Sequence, residues 1–206
     1  MAHNLLTDRL PDGITVCGRY YPVHTDFRRW ILVVELFAES LVPVNEKVEY
    51  AAKLIFPGDN PLRQMRSRQD VTAEKTVDVY RELVRGITGF TSCGRTYGCG
   101  TAESAGKVQR EPVFDFTYDD ERIYAAFRQV YGLDLCDPAV KLHFWTFMAL
   151  LRNLPQETEF MQVVNLRMTD AARIENDDLR RRVRRAKASV RIREEKEERG
   201  KEKTYG

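Results

Sequence analysis

Apolar positions along this chain recur mainly at helical spacing and alternate as in a strand only briefly, near the N-terminus and around Phe114 to Tyr118. Pro11, Asp12 and Gly13 predict a turn, Ile14 to Val16 a short β-prone run, and Gly18-Arg19 a reversal toward Tyr20, Tyr21 and Val23. Thr25 or Asp26 then suits a helix cap, and Phe27, Trp30, Ile31 and Val34 follow as one apolar stripe. Pro43 interrupts the pattern before Val48, Ala51, Ala52 and Ile55 predict a second helix that ends ahead of Pro57. Residues 57–70 carry Pro, Gly, Asn and Arg without an apolar period and read as a connecting loop. Thr72 caps a third predicted helix with Val77, Tyr80, Leu83, Val84 and Ile87 on one face, weakened toward its end by Gly86 and Gly89.

The second half repeats the helical theme. Residues 90–112, rich in Gly, Ser and Thr, read as an exposed loop, and the alternation of Phe114, Phe116 and Tyr118 predicts a brief extended segment. Asp119 or Asp120 starts a fourth helix with Ile123, Phe127 and Val130, stopped by Gly132. A fifth is predicted from Pro138 to Asn153, its Leu142, Trp145, Phe147, Met148, Ala149 and Leu151 forming a broad apolar surface. Phe160, Val163 and Val164 mark a shorter helix over residues 157–166, followed by a loop near Thr169 and Asp170. From Ile174 to Glu198 the apolar residues Leu179, Val183, Ala186, Val190 and Ile192 are too sparse to build a core. The expected fold is therefore mainly α. A compact multi-helix domain over residues 1–168, with a small N-terminal β-hairpin-like element, precedes a charged, basic C-terminal extension over 169–206 that is helical or partly disordered.

Charge sharpens this division. The net charge of +2 conceals 12 Lys or Arg against 5 Glu from Arg180 to Gly206, while the preceding residues carry 21 basic and 26 acidic side chains. A mildly acidic body is expected to fold, leaving a basic tail solvated and open to a partner. No run approaches the roughly 18 to 20 apolar residues that span a bilayer, and the N-terminus lacks a basic region followed by an apolar run. No membrane association is expected. The sequence predicts a cytoplasmic protein with Cys17, Cys93, Cys99 and Cys136 reduced.

Candidate chemistry is sparse. Cys93 and Cys99 have five residues between them, more than the usual spacing of a structural zinc site, and no His lies nearby. Cys17 and Cys136 read as isolated, packed thiols. His143 lies among Leu142, Phe144 and Trp145, a setting for a packed or capped imidazole, and His24 precedes a cap and suits a local turn. Asp119, Asp120 and Glu121 suit the positive end of a helix better than a cation site. No P-loop, dinucleotide-binding glycine motif, nucleophile elbow or HExxH occurs. The expectation is a non-enzyme with no cofactor or metal. The cluster Arg180, Arg181, Arg182, Arg184, Arg185 and Lys187 could meet phosphates, but it lacks interleaved aromatic residues, and an acidic protein surface suits it as well as nucleic acid.

Three blocks in order carry a resemblance. The first runs LLT-D-LP, V-x-G-x-x-YP and TDFR-x-W between Leu5 and Trp30; the second is FDFTYDDERIYAAFRQVYGLDL from Phe114 to Leu135; the third is LHFWTFMALLRNLPQETEF from Leu142 to Phe160. FTSCGR from Phe90 to Arg95 adds an aromatic residue ahead of a Cys-Gly-basic triplet. Together these resemble a bacteriophage family, gene-product-fifteen-like, usually encoded between the major tail protein and the tape measure protein of long-tailed phages. Residues 57–70 and 96–111 look longer than the family pattern, and the basic tail matches it least. The resemblance implies a tail assembly chaperone acting in the host cytoplasm with the tape measure protein as partner; self-association and contact with the tail-tube protein stay open. A tail or connector component retained in the virion is the alternative, with a nucleic-acid-binding module behind it. The outer stripe of the first helix, with Trp30 and Phe37, and the basic cluster from Arg180 to Lys187 are the candidate partner-binding surfaces.

Overall fold

The computed structural model describes residues 4–67, 72–93 and 113–192, so residues 94–112 of the loop predicted at 90–112, Cys99 among them, and the chain beyond 192 lie outside the described residues. In chain order the elements are β1 (Gly13–Val16), β2 (Arg19–Pro22), α1 (Phe27–Ala38), α2 (Val44–Ile55), α3 (Pro61–Arg66), α4 (Ala73–Thr91), α5 (Asp120–Tyr131), α6 (Phe144–Arg152), α7 (Glu159–Met168) and α8 (Asp177–Ser189). The fold is mainly helical with one small antiparallel hairpin, as the periodicity predicts. Among the described residues no helix is long and apolar enough to cross a membrane. The chain divides into two compact units: residues 1–105 with 138–152, and residues 106–137 with 153–206. The predicted boundary at residue 168 lies inside the second unit.

The first unit holds the hairpin, α1 to α4 and α6. Ile14 pairs with Tyr21 and Val16 with Arg19 across a two-residue turn at Cys17-Gly18, both with positive φ, the geometry that matches strand twist. The predicted turn at Pro11 to Gly13 is instead the lead into β1. Gly13 belongs there because a Cβ would overlap the Tyr20 ring and the Tyr21 carbonyl. The Cys17 N–H donates to the Glu82 carboxylate at 2.5 Å, fixing the hairpin tip to α4. Asp26, one of the two expected caps, accepts from the Arg28 N–H at 3.0 Å and starts α1.

The core of this unit is aromatic. Trp30 stacks on Phe90 with ring centres 3.9 Å apart and lies near Phe144, while Phe27 stacks on Phe147 at 4.7 Å. Each such buried side chain contributes about 1.5 to 3 kcal/mol from area alone. Several expectations change here. Phe90 is the buried last turn of α4 and not the start of a loop, and Val77, predicted on the buried face, is exposed. The supposed loop at 57–70 contains α3, whose Asn60 side chain accepts from the Arg63 N–H at 2.9 Å ahead of Pro61, with Leu62 buried. Helix α6 begins at Phe144, six residues later than predicted from Pro138, because the backbone before it pairs with Thr25 and Asp26. The Phe27 N–H donates to the Leu142 carbonyl at 3.0 Å and the Phe144 N–H to that of Thr25 at 2.8 Å.

The second unit holds α5, α7, a 3-10 turn at Ala171–Arg173, and α8. Ile123, Ala126 and Phe127 from α5 and Phe160, Val163 and Val164 from α7 are buried. Phe114 meets Phe160 edge to face at 5.8 Å. The extended segment expected at 114–118 is a turn, because the Asp115 carboxylate accepts from the N–H groups of Thr117 and Tyr118 at 2.9 and 2.8 Å. Gly132 ends α5 in the left-handed conformation at φ 67°, as predicted. Val130, predicted on the core face, is exposed.

Candidate partner-binding surfaces

The two surfaces predicted from sequence fare differently. Trp30 is 0% exposed, and its indole N–H donates to the His24 carbonyl at 2.6 Å. It is a core residue and not part of an outward stripe. The buried face of α1 is Phe27, Trp30 and Val33, and Phe37 is only half-buried. What α1 turns to water is Leu32, 50% exposed, and beyond its end Leu41 and Val44 are 76% and 59% exposed. The apolar corner of Leu41 and Val44 between α1 and α2 is held by Lys47, itself buried, whose ammonium donates to the Phe37 and Glu39 carbonyls at the end of α1. Of the predicted stripe, Phe27 and Trp30 are buried and Ile31 and Val34 half-buried, while the buried Val33 is not among the predicted positions.

The basic cluster lies on α8, capped by Asn176, whose side chain accepts from the Leu179 N–H at 2.9 Å. At 3.6 residues per turn, Arg181, Arg184, Arg185 and Ala188 share one face, and all four are exposed. Arg180, Val183, Ala186, Lys187 and Val190 lie toward the other and are half-buried. Half of the six predicted residues are already engaged. Arg180 pairs with Asp177, Arg181 with Asp178 at 2.7 Å, and Lys187 donates to the Thr169 carbonyl at 2.7 Å. Among the described residues no ion pair reaches Arg182, Arg184 or Arg185.

A buried ionic cluster that periodicity and motif do not signal lies in the same unit. Asp119, expected to cap α5, makes no side-chain cap bond. Its carboxylate, 0% exposed, receives a two-pronged contact from Arg167 at 2.6 and 2.9 Å, a bond from Arg122 at 3.3 Å and the Asp115 N–H at 3.1 Å. Arg122 also reaches Glu159 at 3.2 Å. Only the apolar neighbours of Arg167 in α7 are visible in the sequence, and its partner is 48 positions away.

The other polar groups singled out in the sequence make local contacts wherever they fall among the described residues. His143, expected as a packed or capped imidazole, is half-buried and capped: its Nε2 lies 2.9 Å from the Pro11 carbonyl, and its Nδ1 accepts from the Trp145 N–H at 3.0 Å at the start of α6. Burial, and secondarily Arg29, holds the His24 imidazole below its ordinary value. Cys17 and Cys136 are exposed, contrary to the packed setting expected for them, because both sit in turns; Cys93 is buried. A shallow groove is lined by Lys53, Phe56, Leu62, Arg63 and Arg66, where Glu49 is held by Arg66 and by the Tyr80 hydroxyl. Among the described residues no cluster of His, Cys, Asp or Glu could hold a metal ion.

A family model described as Bacteriophage Gp15 protein matches residues 6–192 of the chain. No curated protein and no solved structure matches it.

Proposed function

Because the chain belongs to the bacteriophage Gp15 protein family, which points to a structural or assembly role in a phage, we propose that it is a tail assembly chaperone. It binds the tape measure protein in the host cytoplasm, performs no catalysis and leaves before the tail is complete. A tape measure is a long helical chain with much apolar surface, which aggregates unless covered before tube subunits close around it. Many copies of a small helical protein, each bound weakly, keep such a chain soluble and are displaced one at a time as the tube grows.

The observation that supports this reading is the apolar corner of α1 and α2. Leu41 and Val44 stand in water next to a helix end held by the buried Lys47. Co-expression with the tape measure protein of the same phage tests it. The tape measure is expected in the soluble fraction in complex with this chain, and Leu41→Glu with Val44→Glu is expected to return it to the pellet without unfolding the chaperone. Equal solubility with and without the chain, and no complex, would overturn the proposal. Recovery of the chain from purified particles by mass spectrometry would replace it with a retained tail component.

A further inference from the structure

Helix α8 is attached unusually lightly. None of its side chains is buried. Its inner face offers only half-buried Val183, Ala186 and Val190, so little apolar area holds it down. What remains is polar: Lys187 to the Thr169 carbonyl at 2.7 Å, Arg180 to the Ile174 carbonyl at 3.3 Å, and Arg167 to the Val190 carbonyl at 2.7 Å. The first two come from long side chains of α8 itself, which lose rotamer freedom when they bind. Arg167 is different, because it is already fixed.

The Arg167 side chain is only 7% exposed and is oriented by the Asp119 carboxylate, which takes both of its terminal nitrogens. Nη1 also reaches the Val113 carbonyl at 3.2 Å, and the guanidinium lies 5.6 Å from the centre of the Tyr118 ring. With those groups committed, Nε points at Val190, the residue that closes α8. A cation placed there also meets the negative end of the helix dipole. The bond to Val190 therefore costs little further ordering.

We propose that Arg167 is a clasp that docks the basic helix α8 onto its unit, and that α8 opens locally when the clasp is removed while α5 and α7 remain folded. Arg167 is thus a positioning residue for the exposed face of Arg181, Arg184 and Arg185. This holds whether or not the partner is a tape measure protein, since it concerns only how the helix is held.

Hydrogen exchange on the full chain, read by mass spectrometry over 177–190, 120–131 and 159–168, tests it. Arg167→Lys keeps a cation beside Asp119 but lacks the planar fork that serves the carboxylate and Val190 together. In that variant α8 amides are expected to exchange at least about tenfold faster, the scale of removing one charge-assisted hydrogen bond, with α5 and α7 amides nearly unchanged. Equal acceleration of all three helices would make Arg167 a general support of the unit and overturn the proposal, as would an unchanged α8. Should that variant not fold, the unmodified chain decides the matter in rising urea. There α8 is expected to exchange through an opening with weaker urea dependence than α5 and α7, and a single shared dependence would overturn the clasp.

Discussion

Trp30 and Arg184 mark the two extremes of what a side chain contributes here. Trp30 is enclosed by Phe90 and Phe144 and satisfies the His24 carbonyl, so Trp30→Ala leaves both a cavity and an unpaired acceptor. A loss of about 3 to 5 kcal/mol in urea unfolding is expected. Arg184→Ala removes an exposed cation and should stay within about 0.5 kcal/mol of the parent chain. His24 sets a dependence on pH. Its imidazole titrates below the ordinary 6.5, chiefly through burial, so around and below that value the unfolded chain binds more protons than the folded one. This contribution to stability is complete above about pH 6.5 and is lost as pH falls. Urea midpoints at pH 7.5 and 5.5 should differ, and His24→Gln should narrow the difference. The packed role of His143 is legible from its apolar neighbours, whereas the burial of Asp119 is not: an acid at a helix start has a sufficient local explanation, and nothing nearby announces Arg167.

Among the elements, long amphipathic helices are the most legible because their apolar period is sampled over several turns. Helix α3 escapes for the opposite reason: six residues show no period, and its signal is the Asn60-Pro61 pair of cap and first helical residue. So short a helix does not stand alone and depends on its cap, on buried Leu62 and on the ion pair of Arg66 with Glu49. Asn60→Ala should therefore cost about 1 kcal/mol, measured as a lower urea midpoint, with an accompanying change in the ionisation of Tyr80. Burial and the hydrogen bond to Glu49 raise the Tyr80 phenol, and loosening α3 changes that surrounding. If Asn60→Ala leaves both the midpoint and the ultraviolet titration of Tyr80 untouched, α3 is not held by its cap. The late start of α6 is hidden because residues 142–144 pair with residues 25–27, far away in the chain. Local propensity around Pro138 carries no trace of it.

For the whole molecule, helical class and the sign division of charge are readable from periodicity and composition, while the grouping of residues 138–152 with the first 105 is not. Such a return depends on which apolar faces find each other, which the local apolar period does not specify. The charge division leads to a prediction about nucleic acid. Residues before Arg180 carry more acidic than basic side chains, so their field opposes a phosphate backbone, and on α8 Arg180, Arg181 and Lys187 are already engaged. Duplex DNA is expected to bind the full chain only at low salt. Replacing Arg182, Arg184 and Arg185 together by Ala should flatten the plot of log affinity against log salt by about 2.7, from roughly 0.9 for each phosphate that an arginine no longer neutralises. An unchanged slope would mean that phosphates are met elsewhere on the chain. Binding that persists at physiological salt would mean that the acidic body does not oppose DNA, and would move nucleic acid ahead of a protein as the partner of this helix.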